Sequence, residues 1–455
     1  SKRAFSSTLD VQIPLSMKPA SLQFLLDTFL AHRNVSTDTR KIQQGDLYWA
    51  LKGANFNGNL FAPQALEAGA AKVVVDDPAV IVPGDERYVL VEDGLRGLQA
   101  LATAFRKTWT IPVIGLTGSN GKTTTKELLA AALSTKYVVH ATAGNYNNHI
   151  GVPLTILAYP DEAEIAIIEM GTNQPGDILE LAEIALPSHG LITNVGYAHL
   201  EKLLSLDGVM VEKGQLFEVV KQQQGALFVN ADDHRVVQAA GAYEPIISFG
   251  RDKGDFQASI RNQSSAGMVV QVEYDEWAEP VLVSSAMSGS HNALNIAAAA
   301  AVANHFQVAP SKIAAGIGAY LPANHRSQLI ERDGYQIWMD AYNANPSSMA
   351  ASIRHVMSLQ AGRIGLVIGD MYELGEASEE LHTELGQLIK NQSPHLVIGI
   401  GKEIQYTLAQ LETPVHHFSN TQEAIPHLKE LVSDCDLLLL KASRGIGLEK
   451  LLVVI

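Results

Sequence analysis

Residues 112–133 read Pro112-Val113-Ile114-Gly115-Leu116-Thr117-Gly118-Ser119-Asn120-Gly121-Lys122-Thr123-Thr124-Thr125-Lys126-Glu127-Leu128-Leu129-Ala130-Ala131-Ala132-Leu133, and the fold turns on this stretch. Pro112–Leu116 is a short apolar run of buried-strand type, Thr117–Thr125 is a glycine-rich loop, and Lys126–Leu133 has the composition of a helix. Glycines let backbone N–H groups turn inward around phosphate oxygens, and the start of a helix adds the positive end of its dipole. Gly118, Ser119, Asn120, Gly121, Lys122, Thr123 and Thr124 are therefore candidate nucleotide-binding residues. Lys122 would reach the β- and γ-phosphates and the Thr123 hydroxyl would ligate Mg²⁺. The loop departs from the common form, because Leu116 stands five residues before Gly121 where a glycine is usual. A glycine turn followed by a surface lysine is the bland alternative; strand, Gly-Lys-Thr and helix in that order favour the nucleotide. Such a loop does not by itself distinguish kinase, switch, motor or ligase.

Further apolar runs follow at Ile165–Ile168, Leu191–Val195 and Ala226–Val229, separated by helix-length segments, and strands alternating with helices imply a mostly parallel sheet. A more β-like stretch, Ile260–Ser285, precedes an alanine-rich helix over His291–His305. Upstream, Leu22, Leu25, Leu26, Phe29 and Leu30 share a helix face, and Gly45–Leu51, Ala62–Ala70, Lys72–Val75 and Tyr88–Val91 alternate strand and helix character. Downstream, Ile337–Met339, Gly365–Ile368, Leu396–Ile400 and Asp436–Leu440 read as parallel strands, with helices at Ser378–Asn391, Glu403–Leu411 and Thr421–Val432. The expected fold is α/β in three domains. Residues 1–110 form a small N-terminal α/β domain, 111–323 a central parallel-sheet ATPase domain with the phosphate loop, and 324–455 a C-terminal Rossmann-like domain.

At 455 residues the chain has room for two to four domains, and 47% hydrophobic against 18% charged residues supplies their cores. A net charge of −15 leaves no overall field for nucleic acid or an anionic membrane, so any phosphate must be held locally. The single cysteine, Cys435, excludes an internal disulfide framework and fits a reducing cytosol. The apolar runs Ile296–Ala303 and Leu437–Leu440 fall far short of the roughly 18 residues of a membrane span, and no signal-peptide core follows Lys2 and Arg3. The sequence reads as a soluble cytoplasmic chain.

Ligands of an open parallel sheet gather beyond the carboxyl ends of its strands. Glu169 ends the run Ile165–Ile168, where an acid could meet the nucleotide's Mg²⁺. His199 lies four residues past Leu191–Val195, and Lys213 sits in Glu212-Lys213-Gly214-Gln215-Leu216-Phe217. On their own these two read as a packed or surface histidine and an ordinary helix lysine.

These pieces, in this order, resemble the Mur ligase family, which builds the peptide of the bacterial cell-wall precursor by ATP-dependent amide formation. The matching residues run from Ser36-Thr37-Asp38-Thr39-Arg40 to Lys441-Ala442-Ser443-Arg444, and the Thr-Gly-x-Asn-Gly-Lys-Thr loop, which lacks the first glycine in the family too, accounts for Leu116. Asp340-Ala341-Tyr342-Asn343-Ala344-Asn345-Pro346-Ser347 and Gly369-Asp370-Met371-Tyr372-Glu373-Leu374-Gly375-Glu376 are most similar to the members that add D-alanyl-D-alanine to UDP-N-acetylmuramoyl-tripeptide. The Asp-Asn-Pro-Arg run usual in the third-residue ligase is missing.

The resemblance implies ATP and two Mg²⁺ ions, one held by Thr123 and Glu169, the other by His199 and a carbamylated Lys213. It implies that Asn295 contacts adenine, Arg326 the γ-phosphate and Asp340 the ribose, and that Lys122, Glu169, His199, Lys213 and Arg326 carry the chemistry. Ser36, Thr37, Asp38 and Arg40 would grip the uridine diphosphate, Asn145, Asn147 and Asn148 would lie near the muramoyl end, and Asn343 and Asn345 near the peptide or incoming amine. Turn stabilisation and helix capping are the plain alternatives for the asparagines. UDP-N-acetylmuramoyl-tripeptide and D-alanyl-D-alanine are the expected partners, acting on a monomer with no nucleic acid and no membrane span. Relatives of this type begin near the helix at Leu22, so Met17 is the expected natural start and residues 1–16 are expected to be dispensable. ATP contacts divided between the central and C-terminal domains would make this a domain-closure enzyme. The alternatives are a Mur-type ligase for another amine, of third-residue or folylpolyglutamate synthase kind, and a P-loop switch. The sequence shows no Asn-Lys-x-Asp guanine signature for the last.

Overall fold

The computed structural model describes residues 18–322, 327–332, 334–359 and 361–455. Arg326, the 323/324 boundary and the start expected at Met17 lie outside the described residues.

The described chain up to Trp109, together with His149–Tyr159, forms one compact unit. Its sheet is fully parallel in the order Val35–Ser36, Leu47–Trp49, Lys72–Val75, Tyr88–Leu90. Asp93 caps the helix Gly94–Arg106 through the Arg96 N–H. His149–Tyr159 belongs here because its short helix Gly151–Leu157 is apolar nearly throughout, with Val152, Ile156 and Leu157 buried. Tyr159 stacks on Trp109 at 4.0 Å, Arg33 donates to its carbonyl at 3.2 Å, and Gln99 donates to the His149 carbonyl at 3.3 Å.

The second unit holds Thr110–Asn148 and everything after Tyr159, with two sheets. The central one runs Val281–Ser285, Gly267–Glu273, Phe256–Ser264, Ile246–Gly250, Ala226–Asn230, His189–Ile192, Val113–Thr117, Ile165–Glu169, Val139–Ala141. From Ile246–Gly250 onward in that order every pairing is parallel, and the expected β-like stretch is the antiparallel meander at the other end. The middle of the helix Ser290–His305 is apolar on all sides because it is enclosed; Ile296–Ala303 are buried, and the helix packs against Lys122–Leu133.

The C-terminal sheet runs Gln328–Arg332, Tyr335–Met339, Leu437–Lys441, Ile364–Gly369, Leu396–Ile400, Val415–Phe418. Its expected strands are parallel, and the edge strand Gln328–Arg332 adds an antiparallel hairpin that the sequence reading did not include. Helices Ser378–Gln392 and Thr421–Leu431 stand where expected, whereas Glu403–Leu411 shortens to Gln405–Leu408. One correction bears on the site: the phosphate-loop helix begins at Lys122, not at Lys126. The run of β-branched Thr123–Thr125 argues for loop by propensity, but Gly121 in left-handed conformation (φ 78°) caps the helix and tertiary packing prevails.

Candidate functional site

Val113–Thr117 lies between His189–Ile192 and Ile165–Glu169, where the strand order reverses, so its carboxyl end opens on the switch point of the sheet. The loop there is drawn tight by its glycines. A Cβ on Gly118 (φ 154°) would sit 1.8 Å from Thr193 Oγ1, and one on Gly121 would sit 2.7 Å from Asn295 Oδ1. Neighbouring loops hold it from outside. The Asn120 N–H donates to Asn194 Oδ1 at 3.0 Å, Thr193 Oγ1 donates to the Asn120 carbonyl at 2.6 Å, and Ser119 Oγ donates to the Gly196 carbonyl at 2.9 Å. Lys122 Nζ folds back on the Gly118 carbonyl at 2.7 Å, across the space that phosphates would take.

Parallel pairing sets Leu116 opposite Glu169, which carries the carboxylate to the loop. Thr123 Oγ1 donates to Glu169 Oε1 at 3.1 Å and Asn147 Nδ2 donates to the same oxygen at 2.8 Å. Glu169 Oε2 is buried, accepts no hydrogen bond and lies 4.0 Å from Nζ of the buried Lys126. A buried carboxylate oxygen left open beside a threonine hydroxyl suits a hard divalent cation. Lys126 and Asn147 are the anchors of this corner; Lys126, bonded to the Thr142 carbonyl at 2.6 Å, drew no attention in the sequence because its burial is a tertiary fact.

Lys213 is buried on the helix Leu206–Gln222, and burial followed by the positive charge of Lys122 holds its ammonium pKa well below the usual lysine value. Its neighbour Glu212 accepts from Thr172 Oγ1, the Gly176 N–H and the Ile178 N–H at 3.1, 2.7 and 2.8 Å, tying this helix to the loop after Glu169. His199, at φ 54°, sets Nδ1 2.5 Å from Glu373 Oε2. Asn295 packs on the phosphate loop and donates to Asn292 Oδ1 at 3.1 Å.

The C-terminal sheet turns its own strand ends to the same place. Asp340 follows Tyr335–Met339, receiving Lys441 Nζ at 2.7 Å and Ser352 Oγ at 2.6 Å. Burial alone would raise its pKa, but the Lys441 ammonium and these hydrogen bonds hold it below the usual carboxylate value. Asn345 caps the helix Pro346–Ser358 with its oxygen and donates from Nδ2 to Asn120 Oδ1 at 2.8 Å, so that side chain joins the two parts of the unit. Asn343 is exposed and its carbonyl accepts from Lys441 at 3.2 Å. Between the two parts lies a cleft of about 300 Å³, lined by Ser119, Lys122, His199, Tyr342–Asn345, Tyr372–Leu374 and Ser443–Gly445.

The structure thus gathers the phosphate loop with Glu169, Asn147, His199, Lys213, Asn295, Asn343 and Asn345, and sets Asp340 behind Asn343 on Lys441. Asn145 is exposed and its carbonyl accepts from the Asn147 N–H at 2.7 Å; Asn148 follows on the same loop. In the first unit, Ser36, Thr37, Asp38 and Arg40 form a tight turn. Ser36 Oγ donates to the Asp38 carbonyl, and Arg40 grips Asp38 at 2.9 and 2.8 Å, bringing that carboxyl down to about 2. Among the described residues no group of three or more His, Cys, Asp or Glu side chains is set to hold a metal, and no helix is long and apolar enough to cross a membrane.

Three family profiles match in succession: the Mur ligase family catalytic domain over residues 32–106, the Mur ligase middle domain over 116–303, and the Mur ligase glutamate ligase domain over 325–444. The chain is 38% identical over 426 residues to the UDP-N-acetylmuramoyl-tripeptide–D-alanyl-D-alanine ligase of Bacillus subtilis, with 92% of each chain covered. To the enzyme of the same name from Escherichia coli it is 33% identical over 423 residues, covering 91% of this chain and 92% of that one. Among solved structures it superposes on MurF from Acinetobacter baumannii with a TM-score of 0.86, 29% identity and 96% and 98% coverage. MurF from Thermotoga maritima in complex with ADP gives a TM-score of 0.82 at 28% identity, with 93% and 97% coverage. All three segments match in one order, and relatives align along nearly their whole lengths: the chain belongs to the Mur ligase family.

Proposed function

We propose that this chain joins D-alanyl-D-alanine to UDP-N-acetylmuramoyl-tripeptide with ATP, in the synthesis of the peptidoglycan precursor. The observation that carries the reading is the shared cleft. A phosphate loop forms one wall and the Tyr342–Asn345, Tyr372–Leu374 and Ser443–Gly445 loops form the other, so a phosphoryl donor and an acceptor can meet there.

The tripeptide carboxylate attacks the γ-phosphate of ATP to give an acyl phosphate and ADP. The amine of the dipeptide then attacks the acyl carbon, and phosphate leaves. The first attack brings together anions, so the site must neutralise charge at fixed positions. Backbone N–H groups at Gly118–Thr124 cradle the phosphates, and Lys122 exchanges its Gly118 carbonyl contact for a phosphate oxygen. Thr123 and Glu169 fit a divalent ion, given the open Glu169 Oε2. His199 and Lys213 fit a second if Lys213 is carbamylated. That modification needs a neutral amine, which burial beside Lys122 favours, and it turns a cationic side chain into an oxygen donor. Magnesium, when bound, would supply further charge neutralisation at the transferring phosphoryl group.

Asn295 against the loop suits an adenine contact, Asp340 the ribose, and Arg326 the γ-phosphate. Asn147 acts first as a partner of Glu169, and Asn345 first as a cap and a bridge to Asn120. Ser36, Thr37, Asp38 and Arg40 are the uridine diphosphate contacts of this reading, and Asn145, Asn148 and Asn343 contacts toward the peptide. The reading keeps the three-domain division at 110 and 323, and takes the enzyme as a cytoplasmic monomer. Its test is ATP-dependent phosphate release with UDP-N-acetylmuramoyl-tripeptide, with and without D-alanyl-D-alanine. Turnover requiring both is expected. Turnover with another amine alone would keep the family and overturn the acceptor.

A further inference from the structure

The segment Asp370–Leu374 is held at each step. The Asp370 carboxylate accepts from the Lys402 and Ile404 N–H groups at 2.9 and 2.8 Å. The Met371 N–H donates to Nε2 of the fully buried His382 at 3.1 Å, and His382 Nδ1 donates to the Ser378 carbonyl at 2.8 Å, which leaves Nε2 as the acceptor. The Tyr372 N–H donates to Ser443 Oγ at 2.8 Å. This scaffold delivers Glu373 at φ 63°, a left-handed backbone that residues with side chains avoid.

In that conformation Glu373 meets the central domain twice. Its carboxylate lies 2.5 Å from His199 Nδ1, and its carbonyl accepts from the Glu201 N–H at 3.0 Å. His199 is itself left-handed at φ 54°. The Asp370, Met371 and Tyr372 hydrogen bonds fix the Glu373 side of the contact, and the Lys202 and Leu203 N–H groups, donating to the His199 carbonyl at 3.1 and 2.9 Å, fix the other. An imidazole has two nitrogens. A carboxylate oxygen 2.5 Å from Nδ1, close but not aligned as a hydrogen bond, favours the proton on that nitrogen and leaves Nε2 to offer a lone pair, and His199 lines the cleft with Lys122. A carboxylate on the far nitrogen also strengthens the near one as a ligand.

We infer that Glu373 is the positioning residue for His199: a carboxylate from the C-terminal domain aims the imidazole at the second divalent ion, so that ion's site is complete only when this domain is docked. The inference rests on the two-ion reading proposed above. It makes ion binding and domain docking one event, and gives the Gly369–Glu376 motif a task distinct from contacting substrate.

The test uses the full chain, a non-hydrolysable ATP analogue, no acceptor, and Mn²⁺ followed by electron paramagnetic resonance, so that binding is read without turnover. Glu373→Ala is expected to weaken one of two Mn²⁺ sites by about 10- to 100-fold while leaving the other unchanged. Glu373→Gln, which still accepts from Nδ1–H, should restore part of that affinity. His199→Ala should weaken the same site, with no further loss when Glu373→Ala is added. Two wild-type affinities in Glu373→Ala would overturn the inference and leave the two-ion reading standing. A single Mn²⁺ site in the wild type, unmoved by His199→Ala, would overturn both. Equal losses in Glu373→Ala and Glu373→Gln, accompanied by reduced thermal stability, would make Glu373 a docking latch and overturn its positioning role.

Discussion

Replacing Lys441 by methionine isolates the electrostatic hinge of the C-terminal half-site. Lys441 is buried, and its ammonium holds the Asp340 carboxylate at 2.7 Å and the Asp340 and Asn343 carbonyls at 3.2 Å each. Lys441→Met keeps the volume and removes the charge, leaving a carboxylate with Ser352 Oγ at 2.6 Å and the Ser327 N–H at 3.3 Å. Breaking a buried pair from one side costs about 3–5 kcal/mol. The Asp340 side chain retains 15% exposure, so the lower end applies, about 3 kcal/mol. In the double variant Asp340→Asn/Lys441→Met no charge is stranded, and a coupling of about 2 kcal/mol should return. The pH dependence has a definite sign. Asp340's folded pKa lies below its ordinary value, so its contribution is present above that value and is lost as pH falls through the folded pKa. In Lys441→Met burial, the largest influence, is opposed only by the Ser352 hydrogen bond and the nearby His291, so the folded pKa is expected to rise above its ordinary value and stability to be lost as pH rises through it. The penalty in Lys441→Met should therefore shrink between about pH 7 and pH 4. Urea unfolding followed by tryptophan fluorescence reads this, since Trp338 is buried on the strand beside Leu437–Lys441. Additive single losses with a pH-independent penalty would refute the reasoning.

Gly118→Ala should abolish ATP binding in a fluorescent-nucleotide titration while the chain stays folded, because its Cβ would collide with Thr193 Oγ1 and its φ disfavours any side chain. Depleting CO₂ should lower turnover, and bicarbonate should restore it, more completely at higher pH, where more of Lys213 is a neutral amine; Lys213→Ala should be inactive and indifferent to bicarbonate. Arg444→Ala should raise the KM for D-alanyl-D-alanine by about 10- to 100-fold, the size of one charge-assisted contact, and leave the KM for ATP unchanged. The acceptor keeps a free carboxylate, and the exposed Arg444, 5.4 Å over the Tyr342 ring, lines the cleft.

What the sequence discloses about this site is what depends on short range. The phosphate loop is legible because strand, glycines and lysine are contiguous, and the meeting of Thr123 with Glu169 is legible because adjacent parallel strands bring their ends together. The helix start at Lys122 is hidden by three threonines whose local preference opposes it. The edge strand Gln328–Arg332 alternates weakly, with no fully buried residue, so it lacks the apolar run that reveals its neighbours. His149–Tyr159 is apolar and helical in either location, and only its partners Trp109, Gln99 and Arg33 decide which unit holds it. Glu373 is equally opaque: nothing within its own motif names His199, and the pairing exists only because two domains dock.

That docking has a physical scale. The central and C-terminal parts meet near the cleft through Asn345 to Asn120, Glu373 to His199 and the Glu201 N–H to the Glu373 carbonyl, all polar. Contacts of this kind contribute about 1 kcal/mol each at most when water can compete, so these three add little to the Gln263–His355 contact at 3.3 Å and to the packing of Ser290–His305 on Pro346–Ser358. On the proposed reading, a nucleotide spanning Lys122 and Asn295 on one side and Asp340 on the other would add bonds that exist only in the docked arrangement, and would shift the balance by that difference alone. An acyl phosphate needs protection from water for the lifetime of one turnover, after which product must leave. Polar contacts beside the cleft that the substrate itself would reinforce suit both demands, whereas a large apolar interface there would secure the first at the expense of the second.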